Sequence, residues 1–319
     1  MGNILEIKNL NLFFKNEEQD YQALFDVNLS LEKGKLHSIV GESGCGKTMT
    51  AMSIIRLLPK TAYIKSGEII FNSENLLNYK ADQMRDLRGN KIALIPQDPM
   101  TSLDPLYTVG DQLIEVIQAH SHVSKRHALR KAREVMNMVK ISDVDKKLDY
   151  YPHEFSGGMK QRIVIAMALV CNPDLIIADE PTTALDVTIQ KQIMDLISEL
   201  QRELKTTILL ISHDLALISN YADTVTVMYS GHVVEQADAR EFFINPRHPY
   251  SLALLNSLPS KNNLQKLKMI AGTPPSIQDV ISGCKFHPRC DFFEMGLCDV
   301  DSPVLKENKQ GHYTACFKV

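Results

Sequence analysis

Apolar and polar positions alternate along the N-terminal part of the chain. The runs Ile4 to Phe14 and Ala23 to Leu31 place apolar side chains at nearly every second position, around an acidic turn at 16–20. This spacing predicts two antiparallel strands. The largely apolar segment Leu36 to Val40 predicts a buried strand, and residues 49–58 after it have helical character.

Short apolar runs then alternate with helical patterns as far as residue 240. The predicted strands are Lys91 to Pro96, Leu175 to Ala178, Thr206 to Ile211 and Thr224 to Tyr229, and the predicted helices are 108–139, 160–170 and 188–204. This order is typical of an α/β fold in which helices cover a parallel sheet, and the early hairpin adds an antiparallel part.

The composition of the chain and its pattern of apolar positions change after about residue 243. Two segments rich in proline and glycine, 245–250 and 272–275, punctuate a tail that we expect to be rich in loops. We therefore place a domain boundary near residue 245, between a large domain at 1–245 and a small extension at 246–319.

Composition limits the class of protein. The chain has 319 residues, of which 44% are hydrophobic and 23% charged, as in ordinary globular proteins. The formal net charge of −3 supplies no basic field for nucleic acid. No apolar stretch approaches the roughly 20 residues that cross a bilayer, and residues 1–6 lack the features of a signal peptide. We expect a cytosolic protein that reaches a membrane only through other subunits.

The segment Gly41 to Thr48 fits the phosphate-binding pattern G-x-x-x-x-G-K-[ST]. It follows a predicted strand and precedes a predicted helix, which is the context that the motif requires. Lys47 is expected to reach the β- and γ-phosphates and the Thr48 hydroxyl to bind Mg²⁺. The predicted nucleotide contacts in this region are Gly41, Glu42, Ser43, Gly44, Cys45, Gly46, Lys47, Thr48 and Thr50.

Four more candidate residues follow three apolar strands. Asp179 and Glu180 end the strand at 175–178; Asp179 suits Mg²⁺, and Glu180 suits a base that polarises the attacking water. His213 follows the strand at 206–211 and could bind the γ-phosphate. Gln97 follows the strand at 91–96, and its amide could reach Mg²⁺ or the water.

The run Phe155 to Arg162, F-S-G-G-M-K-Q-R, resembles the signature of ABC-type ATPases. The resemblance extends over about residues 4 to 240, in family order. It covers the phosphate loop, Gln97 as the Q-loop, Asp179 and Glu180 as Walker B with its catalytic glutamate, Ala184-Leu185-Asp186 as the D-loop, and His213 as the switch histidine. It implies a P-loop NTPase fold with a mixed sheet, an antiparallel β subdomain and a helical subdomain at about 98–165.

The resemblance also implies a shared ATP site. In the family, the signature of one subunit reaches the γ-phosphate held by a partner subunit, which here would involve Ser156, Gly157, Gly158 and Met159, with Asp186 coupling the two sites. Phe155 and Met159 replace the commoner Leu and Gln, a variant familiar among peptide importers. Phe14, at the end of the first strand, is the expected adenine-stacking residue, with Tyr21 as the alternative.

Four of the six cysteines, Cys284, Cys290, Cys298 and Cys316, lie in the last 36 residues. In a reducing cytosol such a cluster favours metal binding over disulfides, and four thiolates suit either zinc or an iron–sulfur cluster. The tail also resembles the C-terminal extension of oligopeptide/dipeptide permease ATPases. That resemblance implies a 4Fe-4S cluster, with Zn²⁺ as the alternative.

The sequence thus predicts an ATP-hydrolysing subunit of an importer of dipeptides and oligopeptides, using ATP and Mg²⁺. Its expected partners are a similar, paralogous ATPase (or a second copy of itself), two transmembrane permease subunits and, indirectly, an external solute-binding protein. Its expected location is the cytoplasmic face of the membrane. Nickel chelates or glutathione are alternative solutes. A soluble ABC ATPase that clamps ribosomes or DNA, and a small-molecule kinase that uses the same phosphate loop, are the competing classes.

Overall fold

A computed structural model describes residues 2–183, 185–258 and 270–319. Its strands are β1 (Asn3–Phe14), β2 (Tyr21–Glu32), β3 (Leu36–Val40), β4 (Ala62–Phe71), β5 (Glu74–Asn75), β6 (Ile92–Ile95), β7 (Leu175–Asp179), β8 (Thr207–Ile211), β9 (Thr224–Tyr229), β10 (His232–Asp238), β11 (Lys306–Lys309) and β12 (His312–Thr314). Its helices are α1 (Lys47–Ile54), α2 (Ala81–Leu87), α3 (Pro99–Ser102), α4 (Val109–His120), α5 (Lys125–Met138), α6 (Val144–Lys147), α7 (Gly157–Leu169), α8 (Val187–Leu204), α9 (Leu215–Tyr221), α10 (Ala239–Ile244) and α11 (Pro249–Asn256).

The chain folds into two compact units. The first comprises Met1–Ile4, Glu32–Leu36 and Asn78–Leu210, and the second comprises Leu5–Leu31, His37–Leu77 and Ile211–Val319. In the first unit β8, β7 and β6 are successive neighbours, and β6 runs parallel to β7. Every residue of β7 is buried, as the apolar run in the sequence predicts.

The second unit contains an antiparallel sheet and part of a mixed one. The antiparallel sheet has the order β2-β1-β4-β5. In the mixed part the order is β11-β12-β10-β9-β3, where β3 and β9 are parallel and the remaining pairs are antiparallel. All five residues of β3, the strand that leads into the phosphate-binding segment, are buried.

Several predicted elements match closely. The strands β3 and β9 have the predicted bounds, and α8 begins one residue before its predicted start. The helical character predicted at 108–139 is confirmed, and the segment forms two separate helices, α4 and α5. The Thr108 hydroxyl accepts a hydrogen bond from Asp111 N–H at the start of α4, and Ser124 accepts one from His127 N–H at the start of α5. A second N-cap therefore interrupts the helical pattern.

The tail is rich in loops, as predicted, over 270–305, but it also contains regular elements. The tail contains α11, β11 and β12, and β12 joins β10 through the pair Glu235–Thr314. The strands β4 and β10 were also not predicted. The centre of β4 carries Lys65, Ser66 and Glu68, which hide its alternation. No helix within the described residues has the length and hydropathy needed to span a membrane.

Candidate functional site

The phosphate loop joins the buried strand β3 to α1 within the second unit. Gly41 has a φ of +153°, and a Cβ there would lie 2.2 Å from the carbonyl oxygen of Met228. Only glycine fits this close approach without backbone movement. Lys47 and Thr48 are the first two residues of α1, at the helix end whose free amides favour an anion.

The Lys47 ammonium turns back over its own loop. Its Nζ donates to the carbonyl oxygens of Gly41 at 2.8 Å and Glu42 at 3.0 Å, and the side chain is buried. A buried ammonium held by neutral carbonyls favours the arrival of an anion, because the anion supplies a full opposite charge. The loop is therefore arranged to take a phosphate group.

Two further residues predicted to contact nucleotide, one in the loop and one in α1, face the protein interior. Burial raises the pKa of the Cys45 thiol, so this cysteine stays protonated near neutral pH. The Thr50 hydroxyl donates to the Gly46 carbonyl at 3.0 Å and so stabilises the start of α1. The predicted contacts of Cys45 and Thr50 with nucleotide remain predictions, as do those of the other loop residues.

The remaining candidates of the second unit lie at the ends of strands. His213 is exposed and follows β8 by two residues; the preceding residue, Ser212, donates its N–H to Ile39 of β3 at 3.2 Å. Phe14 is half-buried, ends β1 and pairs with Ala62 of β4. The adenine-stacking role of Phe14, and Tyr21 as its alternative, stay predictions.

In the first unit the structure brings Gln97 and Glu180 together. The parallel register pairs Ile95 with Ala178, so the residues that follow each strand are neighbours. Gln97 Nε2 donates to Glu180 Oε2 at 3.0 Å, and the Thr183 hydroxyl donates to the same oxygen at 2.9 Å. The sequence did not indicate Thr183, since its contact depends on the turn that follows β7.

Glu180 and Asp179 differ in their surroundings. Glu180 has a φ of +46°, a left-handed conformation that glutamate rarely adopts, and it is half-buried. Such backbone strain is concentrated at functional sites. Asp179, the last residue of β7, is 5% exposed. The strand end thus holds one carboxylate in the interior and the other in a strained, hydrogen-bonded position.

The signature segment forms the exposed start of α7. Ser156 is the N-cap residue and is exposed, but its side chain makes no capping hydrogen bond. A Cβ on Gly158 would lie 2.8 Å from the Ile189 side chain of α8, so a larger residue would require Ile189 to shift. The Ser156 hydroxyl and the first amides of a long helix therefore form a ready anion-binding surface.

The D-loop residue Asp186 has a local structural role. Its carboxylate accepts a hydrogen bond from Ile189 N–H at 3.0 Å and caps α8. Ala184 lies outside the described residues. Coupling of two ATP sites through Asp186 stays a prediction, as do the roles of Ser156, Gly157, Gly158 and Met159.

The four tail cysteines line one small cavity in the second unit. Cys284, Cys290, Cys298 and Cys316 share it with Phe286, Phe292 and Phe317. Burial raises the pKa of Cys284 to about 11 and also raises the pKa values of Cys290 and Cys316. Their thiolates would therefore need a nearby positive charge such as a metal centre supplies.

The four cysteines do not form a preformed metal site. Within the described ranges, no three His, Cys, Asp or Glu side chains form a group that could hold a metal ion. Zinc requires its four sulfur ligands at about 2.3 Å from one point. A 4Fe-4S cluster binds each thiolate through a different iron, so its ligands stand farther apart around a common space.

Comparisons with known proteins agree with the family resemblance of the ATPase motifs and of the C-terminal extension. Residues 24–183 match the ABC transporter family model, and residues 234–298 match the model for the C-terminal region of oligopeptide/dipeptide transporters.

Two curated relatives match along nearly their whole length. One is the probable peptide ABC transporter ATP-binding protein of Sinorhizobium fredii, 48% identical over 99% of this chain and 95% of the relative. Another is the oligopeptide transport ATP-binding protein OppD of Escherichia coli, 44% identical over 99% of this chain and 93% of the relative.

A solved structure of a dimeric, post-hydrolysis state of the ATP-binding cassette MJ0796 bound to ADP and Pi is also similar. It superimposes with a TM-score of 0.66 and 27% identity, over 74% of this chain and 99% of the other. The predicted α/β fold with mixed and antiparallel sheets is thereby confirmed.

Proposed function

This chain belongs to the ABC transporter family of ATP-hydrolysing proteins, and we propose that it energises the uptake of dipeptides and oligopeptides through membrane permease subunits. The observation that carries the proposal is the match of residues 234–298 to the C-terminal region of oligopeptide/dipeptide transporters, in the same chain as an ABC cassette. The names of the two relatives point to the same class of solute. A soluble clamp or a small-molecule kinase would have no use for that region.

The proposed chemistry assigns one task to each group. Lys47 binds the phosphates, and Glu180 accepts a proton from the attacking water while Gln97 and Thr183 hold its carboxylate in place. His213 orients the water or the γ-phosphate. Thr48, Gln97 and Asp179 offer the oxygen atoms that Mg²⁺ prefers, and the ion when bound neutralises charge on the phosphates.

A second ATPase subunit completes the proposed site. Support comes from Ser156, whose hydroxyl is exposed and does not cap its own helix, and from the dimeric state of the similar ADP-bound cassette. In this scheme the signature of each subunit binds the γ-phosphate held by the other. The partner is a paralogous chain or a second copy of this one.

Replacing Ser156 with alanine is expected to reduce hydrolysis at the site whose Lys47 belongs to the partner. Loss of one donor to developing charge costs about 10²- to 10³-fold in turnover. The measurement uses mixed dimers in which only one subunit carries Ser156→Ala, with Ser198→Ala on α8 as a matched control. A defect confined to nucleotide held by the variant's own phosphate loop would contradict the shared site.

The permease is the proposed membrane anchor, on the cytoplasmic side. Met100, Leu106 and Tyr107 are exposed apolar side chains, 57%, 79% and 57% accessible, beside the Q-loop residue Gln97. Apolar side chains so exposed are common at protein–protein contacts. They support a docking role for the segment that follows Gln97.

The decisive test of function is copurification with the permease subunits, followed by ATPase assays of the reconstituted complex with its binding protein. Stimulation by short peptides is expected. Stimulation by nickel chelates or glutathione alone would favour the alternative solutes. If the chain does not associate with membrane subunits, the transport role is wrong.

The four tail cysteines are the proposed ligands of a 4Fe-4S cluster, with Zn²⁺ as the alternative. Each thiolate would bind one iron atom, and the cluster would tie together a small tail that has little core of its own. Anaerobic purification is expected to yield a brown protein that absorbs near about 400 nm. Replacing Cys290 with serine should remove the colour, whereas Cys171→Ser should not. A colourless protein with stoichiometric zinc would overturn the cluster.

A further inference from the structure

Glu42 of the phosphate loop has an arginine partner from the C-terminal region. Arg289 donates from Nη1 to Glu42 Oε2 at 2.7 Å and from Nη2 to Glu42 Oε1 at 3.0 Å. The side chains are 6% and 23% exposed. A two-pronged bond between a guanidinium and a carboxylate is among the stronger and more directional polar contacts in proteins, and partial burial limits its screening by water and salt.

Arg289 is itself held in place. Its Nε donates to the Ala271 carbonyl at 2.8 Å, Nη1 also donates to the Tyr229 hydroxyl at 3.3 Å, and the guanidinium lies 5.8 Å from the centre of the Tyr229 ring. The hydrogen bonds to Glu42 raise the pKa of Arg289 further, so it is charged at any physiological pH. Arg289 therefore places a positive charge at a fixed position beside the phosphate loop.

A second side chain holds the backbone of the same loop residue. The N–H of Glu42 donates to the Tyr250 hydroxyl at 2.9 Å. Tyr250 is fully buried, with its ring 4.7 Å from that of Tyr229 and 5.3 Å from that of Phe286. Glu42 is thus fixed at its amide and at its carboxylate by residues of the C-terminal region.

The position of Glu42 matters to the nucleotide because its carbonyl oxygen is one of the two that hold the Lys47 ammonium. A loop already ordered in its binding conformation spares the ligand the entropic cost of ordering it. Arg289 also neutralises a carboxylate that would otherwise stand uncompensated near the phosphates and repel them.

We propose that Arg289 is a positioning residue for ATP: it holds and neutralises Glu42, and so sets the affinity of the phosphate loop. The proposal rests on the ATP-binding part of the proposed function and is independent of the transported solute. If the complex binds ATP but imports another solute, the proposed role of Arg289 is unaffected. A wild-type complex that fails to bind ATP would refute the proposed function itself.

The test compares ATPase kinetics of the purified permease complex carrying Arg289→Met, Arg289→Lys, Glu42→Gln or the double variant Glu42→Gln/Arg289→Met. Lys309→Met is the control, because Lys309 is a tail cation paired with another carboxylate, Glu241, at 3.2 Å. Arg289→Met is expected to raise KM for ATP about tenfold, with kcat changed less than about twofold. Arg289→Lys should give an intermediate KM, since lysine keeps the positive charge but cannot make the two-pronged bond to the carboxylate.

The double variant distinguishes loss of charge neutralisation at Glu42 from loss of packing at Arg289. Removing the carboxylate as well as the arginine should lower KM below that of Arg289→Met, because the repulsion is gone, but not to the wild-type value, because the loop is still not held. Glu42→Gln alone should raise KM less than Arg289→Met does, because it weakens the hold without leaving a carboxylate uncompensated. The proposal is overturned if Arg289→Met leaves KM unchanged, if the double variant is no better than Arg289→Met, or if Lys309→Met has the same effect. Should Arg289→Met fail to fold, Arg289→Lys decides: a KM at least about threefold above wild type supports the proposal, and an unchanged KM overturns it.

Discussion

Replacing Glu180 with glutamine is expected to stop ATP turnover in the assembled complex while ATP still binds. The amide keeps an oxygen that can accept the hydrogen bonds from Gln97 and Thr183, so the local geometry is preserved. It cannot accept a proton from water, and loss of a general base costs about 10²- to 10⁴-fold in rate.

The measurement pairs steady-state ATPase rates with equilibrium binding of ATP. Glu199→Gln is a matched control, because Glu199 lies in the same unit on α8 and is 43% exposed in an ion pair with Lys140. Turnover within a few-fold of wild type in the Glu180 variant would remove this carboxylate from its proposed role.

Replacing Lys47 with alanine is expected to weaken ATP binding and catalysis together. The ammonium is the buried positive charge of the loop and also bridges the carbonyl oxygens of Gly41 and Glu42. A hydrogen bond to a charged group contributes about 1.5–3 kcal/mol, which corresponds to roughly 10- to 150-fold in ATP affinity.

Binding of a fluorescent ATP analogue and ATPase rates measure the two losses. Lys60→Ala is the control, since Lys60 is an exposed lysine of the same unit outside the loop. Wild-type affinity in the Lys47 variant would show that the motif does not bind phosphate in this chain.

The sequence predicts best those parts of the fold whose signal is local. The strand β3 follows from a short, largely apolar segment between Lys35 and the glycine-rich loop, and β9 is a run rich in β-branched residues. The phosphate loop combines such a strand with glycines at defined spacing. In each of these segments, the residues that predict the structure lie within about ten positions of one another.

Features that depend on distant partners could not be predicted in this way. Gln97 was expected to reach Mg²⁺ or water, and its bond to Glu180 emerges only from the register of β6 against β7. The pairing of β12 with β10 depends on two contacts across the chain, Glu235 with Thr314 and Gln236 with Tyr313. Arg289 lies in a segment notable for its cysteines and proline, and nothing in that segment indicates a carboxylate 247 positions away.

The same separation has a consequence for how the protein is made. A ribosome emits the chain from its N-terminus at about 5–20 residues per second, so roughly 12 to 50 seconds pass between the synthesis of Glu42 and that of Arg289. During translation the nascent phosphate loop carries Lys47 but lacks the arginine and tyrosine that hold Glu42. Tight capture of ATP is therefore expected only after Arg289 has been synthesised and its segment has folded back onto the phosphate loop.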